Sequence, residues 1–541
     1  MSSQPSNRYP NWAYLAALLG AVGVGAWLRV RGYHQSLFGD EYYALLEVGE
    51  TNSLVTALDN VRNGLEVSPP LYFALAWATK QVGNSFEALR VPSIVFGSLL
   101  VPTTYFLGRR VAGRNAGLLA AWLAALSPFL IFYSAEARPY AMVAFFGALV
   151  PLLALRVAAR ATGAAWIAFT LACAGAIYTH YTTVFAVGAC ILWLFIALPS
   201  RRKQLLASCV GAVLLYLPWA SSLSGKDSLH MYGHVWSRVG WWLATSLAHV
   251  TVGAPYITIK QVPGTVAAAI ALTAVVVGAA TQLRKRVTPD QPIVLAVLVV
   301  ATTASGLVVY SLLTNVNLLG VRNFSAAVAC IAVLVACAVA HARPAPLAIG
   351  LTALTLAVAI TGTVKATAPE LQRPDGAGAA AFVDEFARAN TLVSKSRYQG
   401  YMKRALGTYS PKAPQSNRPV AVITLDKASG IAAQPKPLRP AGEYMLVCSR
   451  QFGGFIPVQV SIYDRPANRR LYPDRCRAST PAPIQQAKDK RTSVVLGWAN
   501  GTSILSQDNS VSAFDIVIGV LIALAWLLFG AWSWRYLRRT T

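Results

Sequence analysis

Long apolar runs separated by short clusters of Arg and Lys dominate most of this chain. A run of about 17 or more apolar residues can cross a bilayer as a helix. The pattern predicts twelve such helices, over 12–30, 88–107, 115–133, 139–156, 164–179, 182–199, 204–222, 264–282, 292–313, 324–341, 345–363 and 513–533. The basic clusters Leu107–Arg114, Arg156–Arg160, Arg201–Lys203, Arg284–Arg286, His341–Arg343 and Trp534–Arg539 all fall on one side of this arrangement. Short basic loops stay cytoplasmic, so both termini are expected there. Two shorter apolar stretches, Pro69–Gly83 and Val239–Gly253, are expected as interfacial helices, the second with paired Trp near its start. Arg29 and Arg31 sit at the outer end of the first helix, against the charge bias. Their placement suggests a task there, such as holding a phosphate.

The expected architecture is an all-α polytopic membrane domain, residues 1–363, with an outer loop at 31–87. A small α/β extracytoplasmic domain, 364–511, precedes a final helix and basic tail, 512–541. Its predicted elements are a helix over Gly378–Asn390 and strands over Val420–Leu425, Tyr444–Ser449 and Pro457–Tyr463, split by Pro and Gly. No internal repeat is apparent in the sequence, which counts against inverted-repeat transporters.

Composition reinforces this picture. Of 541 residues, 55% are hydrophobic and 13% charged, against about 25% charged in soluble proteins. The net charge of +26 is explained by topology signals and anionic lipid head groups. No zinc-knuckle or Walker pattern is present, so nucleic acid is not an expected partner. Five of the seven cysteines lie in or beside apolar runs; Cys448 and Cys476 lie in the polar C-terminal segment and are candidates for a disulfide. Acids are scarce, 21 in all, yet Asp40, Glu41, Glu47, Glu50, Asp59 and Glu66 share the first outer loop. His34, His180, His230, His234 and His249 are expected on the same face, so candidate chemistry belongs there.

Four stretches carry that chemistry. Asp40 and Glu41, in SLFGDEYYALLEVGE, are suited either to capping a helix N-terminus or to accepting a proton or binding a cation. Adjacent helical residues point about 100° apart, so one carboxylate is expected to face a cavity while the other braces it. In YSAEARPYA, Glu136 and Arg138 either fix a tight turn as an ion pair or present a guanidinium to phosphate oxygens. His180, in YTHYTT, is a candidate donor to an anion. Arg322, in VRNFS, either snorkels to head groups or makes a second phosphate contact.

In this order, the Asp-Glu pair, SPPLYFAL from Ser68, SPFLIFYSAEARPYA, HYT and Arg322-Asn323-Phe324 resemble the polyprenyl-phosphate-sugar glycosyltransferases of the GT-C fold. The branch is that of protein O-mannosyltransferases and the lipid A aminoarabinose transferase, and the resemblance covers roughly residues 10–345. It implies a GT-C membrane domain that moves a sugar, with inversion, from a polyprenyl phosphate to a lipid, cell-wall glycan or protein acceptor. The reaction is expected on the extracytoplasmic face of a bacterial inner membrane. By matching position, Asp40 is the expected general base with Glu41 beside it. Arg138, Arg322 and Arg31 are candidates for the donor phosphate. Tyr42, Glu136, Tyr140, His180 and Tyr181 are candidates to line the cavity. The family often has Arg-Tyr where this chain has Arg322-Asn323. A lipid phosphate held by cations leaves without protonation, so one carboxylate suffices. No cofactor is required; a divalent metal is compatible with the acidic cluster, but no ligand set demands one. Alternatives are a transporter or lipid flippase, disfavoured by helix centres nearly free of charge, and a non-catalytic polysaccharide-assembly protein.

Overall fold

The computed structural model describes residues 10–64, 68–83, 85–223, 242, 246, 287–314, 318–368, 372–386, 390–393, 399–409, 420–425, 445–452, 458–465 and isolated positions near the C-terminus. The chain forms two compact units. One comprises Met1–Tyr33, Tyr43–Thr363 and Leu505–Thr541; the other comprises His34–Tyr42 and Val364–Ile504. The sequence reading assigned 34–42 to a loop of the membrane domain; the structure groups it with the C-terminal unit.

The first unit is helical. Among the described residues, seven helices are long and apolar enough to cross a membrane, and two shorter apolar helices accompany them. Helix α1 spans Asn11–Val30. A very short helix α2, Glu41–Ala44, leads into a π-helical turn, Leu45–Gly49, then α3, Leu54–Asn63, and α4, Leu71–Val82. Helix α5, Val91–Leu126, is interrupted at Gly113, where φ is 87°. Its two limbs run antiparallel: a Cβ on Gly108 would lie 2.9 Å from the Gly117 Cα. The helices that follow are α6, Pro128–Ser134; α7, Tyr140–Ala159; α8, Gly163–Thr179; α9, Thr183–Ala197; and α10, Arg202–Ala220. The last helices described are α11, Pro292–Thr314; α12, Val328–Ala340, entered through a 3-10 turn at Val321–Ala327; and α13, Ala345–Ala366. Ten of the twelve expected spans fall on described helices. The span at 264–282 and, apart from residues 531 and 532, that at 513–533 lie outside the described residues.

Two expectations change, and the short helix expected between 69 and 83 forms. The span expected over 115–133 is not continuous, because Ser127 takes an extended conformation (φ −68°, ψ 116°) before Pro128. A residue preceding proline is driven out of the α region; here Ser127 caps the next helix by accepting from Leu130 N–H at 3.3 Å. The helix expected over 69–83 forms as α4, and its 12 residues reach about 18 Å, short of the bilayer core of about 30 Å. Trp242, expected at an interface, is fully buried, with its ring 5.7 Å from that of Phe324. The rest of 239–253, apart from Ser246, lies outside the described residues.

In the second unit, a four-stranded sheet has the order β1-β2-β4-β3: β1, Asn390–Val393; β2, Val420–Leu425; β3, Met445–Phe452; β4, Val458–Asp464. β1 and β2 are parallel and the other pairs antiparallel. Parallel neighbours need a crossover, and α15, Gln399–Tyr409, supplies it. Helix α14, Gly376–Phe386, packs on β4 and β3, with Phe382 edge-on to Phe452 of β3 at 5.7 Å. The sequence pattern missed β1 and α15. It also began α14 two residues late, past the cap that Asp375 Oδ1 makes by accepting from Gly378 N–H at 2.8 Å.

Candidate active site

In the helical unit, one end collects most of the predicted residues. Helix α7 begins there with buried Tyr140, and α8 ends there at His180. The Tyr140 ring lies 5.7 Å from the His180 ring and 5.2 Å from the Tyr133 ring. The Arg322 guanidinium sits 5.2 Å above the same Tyr140 ring, a cation–π contact that orients its planar fork. A close backbone approach fixes this contact. A Cβ on Gly147, two turns along α7, would fall 2.1 Å from the Ala326 carbonyl oxygen. Only glycine lets α7 and the 321–327 turn meet so tightly.

Within that turn, Ser325 Oγ donates to the Arg322 carbonyl at 2.6 Å, and Asn323 Nδ2 donates to the Leu318 carbonyl at 2.9 Å. Asn323, the departure from the family pattern, thus ties down the loop before Arg322. His180 Nδ1 accepts from Thr182 N–H at 3.3 Å and lies 2.9 Å from Thr182 Oγ1. A neutral imidazole that accepts at Nδ1 carries its proton on Nε2, which suits donation to an anion. Tyr181 is half-buried.

Glu136 and Arg138 are both buried in the turn between α6 and α7. The turn is closed by Arg138 N–H donating to the Glu136 carbonyl at 2.7 Å, and Ser93 Oγ donates to the Arg138 carbonyl at 2.8 Å. Arg31 is exposed and stacks 5.1 Å over Trp27. Arg29, raised above as a phosphate holder, has a different task. It is fully buried, and its guanidinium donates to the carbonyls of Gly25 (2.8 Å), Ala125 (3.2 Å) and Ala124 (3.0 Å) and to Ser134 Oγ (3.2 Å). Two of these are last-turn carbonyls of α5, the groups a helix C-terminus leaves unpaired. Arg90, also buried, donates to the carbonyls of Gly32 and Tyr33 just past α1. These two arginines shape the end of the unit where Tyr140 lies.

Asp40, Glu41 and Tyr42 belong to the second unit. Gly39, at φ 59°, makes the turn into α2. Glu41 Oε2 reaches back to accept from Phe38 N–H at 2.9 Å while Glu41 N–H donates to the Phe38 carbonyl at 3.2 Å, the reciprocal logic of a capping box. Glu41 is fully buried, and Arg373 Nη1 lies 3.2 and 3.1 Å from its two oxygens. Asp40 is half-buried and Tyr42 buried. Glu41 is therefore the capping, braced member of the acidic pair.

Over residues 67–221 the chain matches the family model of dolichyl-phosphate-mannose-protein mannosyltransferases. The match takes in three of the five stretches that carried the resemblance to GT-C transferases, namely SPPLYFAL, SPFLIFYSAEARPYA and HYT; Asp40-Glu41 and Arg322-Asn323-Phe324 lie outside it. Comparison with curated proteins found no match. Among solved structures, the chain is similar to ArnT from Cupriavidus metallidurans bound to undecaprenyl phosphate, at 13% identity over 83% of this chain and 97% of that one, with TM-score 0.48. It is also similar to the oligosaccharyltransferase AglB from Archaeoglobus fulgidus in complex with an inhibitory peptide and a dolichol-phosphate (15%, 76% and 61%, TM-score 0.44). A third is the arabinosyltransferase EmbB from Mycobacterium smegmatis (15%, 71% and 34%, TM-score 0.38).

Among the described residues, no group of three or more His, Cys, Asp or Glu side chains is placed to hold a metal ion. Cys448 is disulfide-bonded, and Cys476 lies outside the described residues. Sequence reasoning missed Arg373, Arg29 as a helix cap, and Tyr133. Tyr133 had a signal, since YSAEARPY repeats Tyr at both ends of the turn. Arg373 had none, because its partner is 332 residues away.

Proposed function

We propose that this protein is an integral-membrane inverting glycosyltransferase that moves a sugar from a polyprenyl phosphate to a hydroxyl of a lipid, cell-wall glycan or protein. Asp40 takes the proton of the acceptor hydroxyl. The freed oxygen attacks the anomeric carbon from the side opposite the phosphate. The bond between that carbon and the phosphate oxygen breaks, and polyprenyl phosphate leaves with the electron pair. Arg322 and Arg138, with Arg31, take the phosphate charge, and Nε2–H of His180 donates to it. Tyr42, Glu136, Tyr140 and Tyr181 shape the cavity, and Cys448 pairs with Cys476. A divalent metal is an optional addition to the phosphate contacts.

The observation that carries this reading is the Arg322–Tyr140–His180 cluster beside the turn that the family match covers. Topology supports the extracytoplasmic side. Arg114 donates to Asn11 Oδ1 at 2.6 Å, at the start of α1, whereas the cluster lies towards the end of α1. A helix of 20 residues separates those ends by about 30 Å. The basic loop at 109–114 is thus remote from the cluster, as expected if the former is cytoplasmic and the latter outside. The test is incubation of purified protein with a panel of polyprenyl-phosphate sugars, reading release of free polyprenyl phosphate. Release from one donor, dependent on an acceptor, supports the proposal; no release from any donor sinks it.

A further inference from the structure

We propose that Arg373 is a positioning residue for the segment that carries Asp40, and that the C-terminal unit is therefore part of the transferase machinery and not an accessory. This rests on the reading of Asp40 as the base. The segment 34–42 groups with the C-terminal unit and not with the helices that flank it in sequence. Four of its nine residues, Gln35, Ser36, Leu37 and Glu41, are tied to residues 372–409. The Gln35 side chain pairs with that of Gln372. Ser36 Oγ accepts from Ala377 N–H at 3.0 Å and donates to Asp375 Oδ1 at 3.4 Å. Leu37 N–H donates to the Tyr409 hydroxyl at 2.8 Å. Phe38 and Glu41 close the turn around Asp40.

The Glu41–Arg373 pair is the strongest of these ties. Both side chains are nearly free of solvent, 0% and 4% exposed. A buried carboxylate that loses its cation must be rehydrated or protonated, and either change disturbs the backbone it braces. Glu41 is the direct neighbour of Asp40, and its Oε2 also holds the Phe38 amide. Freeing Glu41 therefore loosens the turn from both sides, so the base loses its fixed aim while the phosphate-binding residues are untouched.

The experiment measures donor turnover and hydrogen exchange of the full-length protein in four forms: wild type, Arg373→Met, Arg373→Lys and Tyr409→Phe. Arg373→Met is expected to lower kcat by about 100-fold, the scale of a misplaced catalytic group, with the donor KM unchanged. Exchange across 34–42 is expected to rise, and Arg373→Lys to restore part of both. Tyr409→Phe, which removes one tie and no charge, is expected to show the same pattern more weakly; it carries the test should Arg373→Met not fold. Wild-type kcat and unchanged exchange at 34–42 in the folded variant would overturn the proposal, as would loss of kcat without a rise in exchange there. Asp40→Asn, assayed alongside, separates the two ideas. If it keeps wild-type turnover, the base assignment fails, and the anchor is then judged by exchange at 34–42 alone.

Discussion

Replacing Gly147 with Ala tests whether a backbone contact sets the position of Arg322. The added Cβ would lie 2.1 Å from the Ala326 carbonyl oxygen and 2.8 Å from its carbonyl carbon and Cα. A carbon sits comfortably about 3.3 Å or more from such an oxygen, so the 321–327 turn must retreat by about 1 Å. Overpacking of this kind costs about 1–3 kcal/mol, while exchanging Gly for Ala within a helix returns about 1 kcal/mol. The net loss of stability is therefore modest, about 0–2 kcal/mol by those two values. Activity is affected more, because a displacement of about 1 Å at a binding group can cost about 100-fold. The assay is kcat/KM for the donor together with the melting temperature in detergent. Gly188→Ala is the control: it lies in α9 with nothing within 4 Å of the added carbon, so it should match or exceed wild type in both. A Gly147→Ala protein with wild-type turnover, or a Gly188→Ala protein equally impaired, would refute the reasoning.

Arg29→Met removes four hydrogen bonds to buried acceptors and should destabilise the protein by about 2–4 kcal/mol, given about 1.5–3 kcal/mol for a charge-assisted bond and some relaxation. The melting temperature checks this, and a rise in donor KM without a fall in stability would restore the phosphate-holding role. Arg322→Lys keeps the charge but loses the planar fork over Tyr140. It should lower donor kcat/KM by about 10–100-fold with acceptor KM unchanged; an effect on the acceptor alone would contradict the assignment. Gly39→Val puts a β-branched residue at φ 59° and should cost about 1–2 kcal/mol with loss of turnover, whereas Gly39→Asn should retain much of it. Equal behaviour of the two variants would show that the turn is not conformationally demanding.

What the sequence made legible was what local period and charge encode. Ten helices fall where apolar runs of the right length stand, and β2, β3 and β4 fall on the Val- and Ile-rich pieces between Pro and Gly. Asp40, Arg138, His180 and Arg322 were visible as charged or polar residues at helix ends. Order alone related them; the structure adds that Arg322 and His180 meet at Tyr140. The break at Ser127 was written in the Ser-Pro pair, yet the apolar run continued through it. β1 has only four residues, too few for alternation to declare itself. The grouping of 34–42 with residues after 363 could not be read, because hydrogen bonds such as Leu37 to Tyr409 span 372 positions and leave no local trace. Arg29 misled for a related reason. A buried arginine looks like a ligand-binding residue until the carbonyls that absorb its donors are seen.

The most direct test of the catalytic assignment compares Asp40→Asn with Glu41→Gln for acceptor-dependent release of polyprenyl phosphate from the donor that the panel identifies. Asp40→Asn keeps the shape but cannot take a proton, and should lose about 100-fold or more in kcat, the scale of general-base catalysis, with donor KM and melting temperature preserved. Glu41→Gln should instead lower the melting temperature, since it leaves Arg373 without its buried counter-charge. Wild-type turnover in the Asp40→Asn protein would contradict the account.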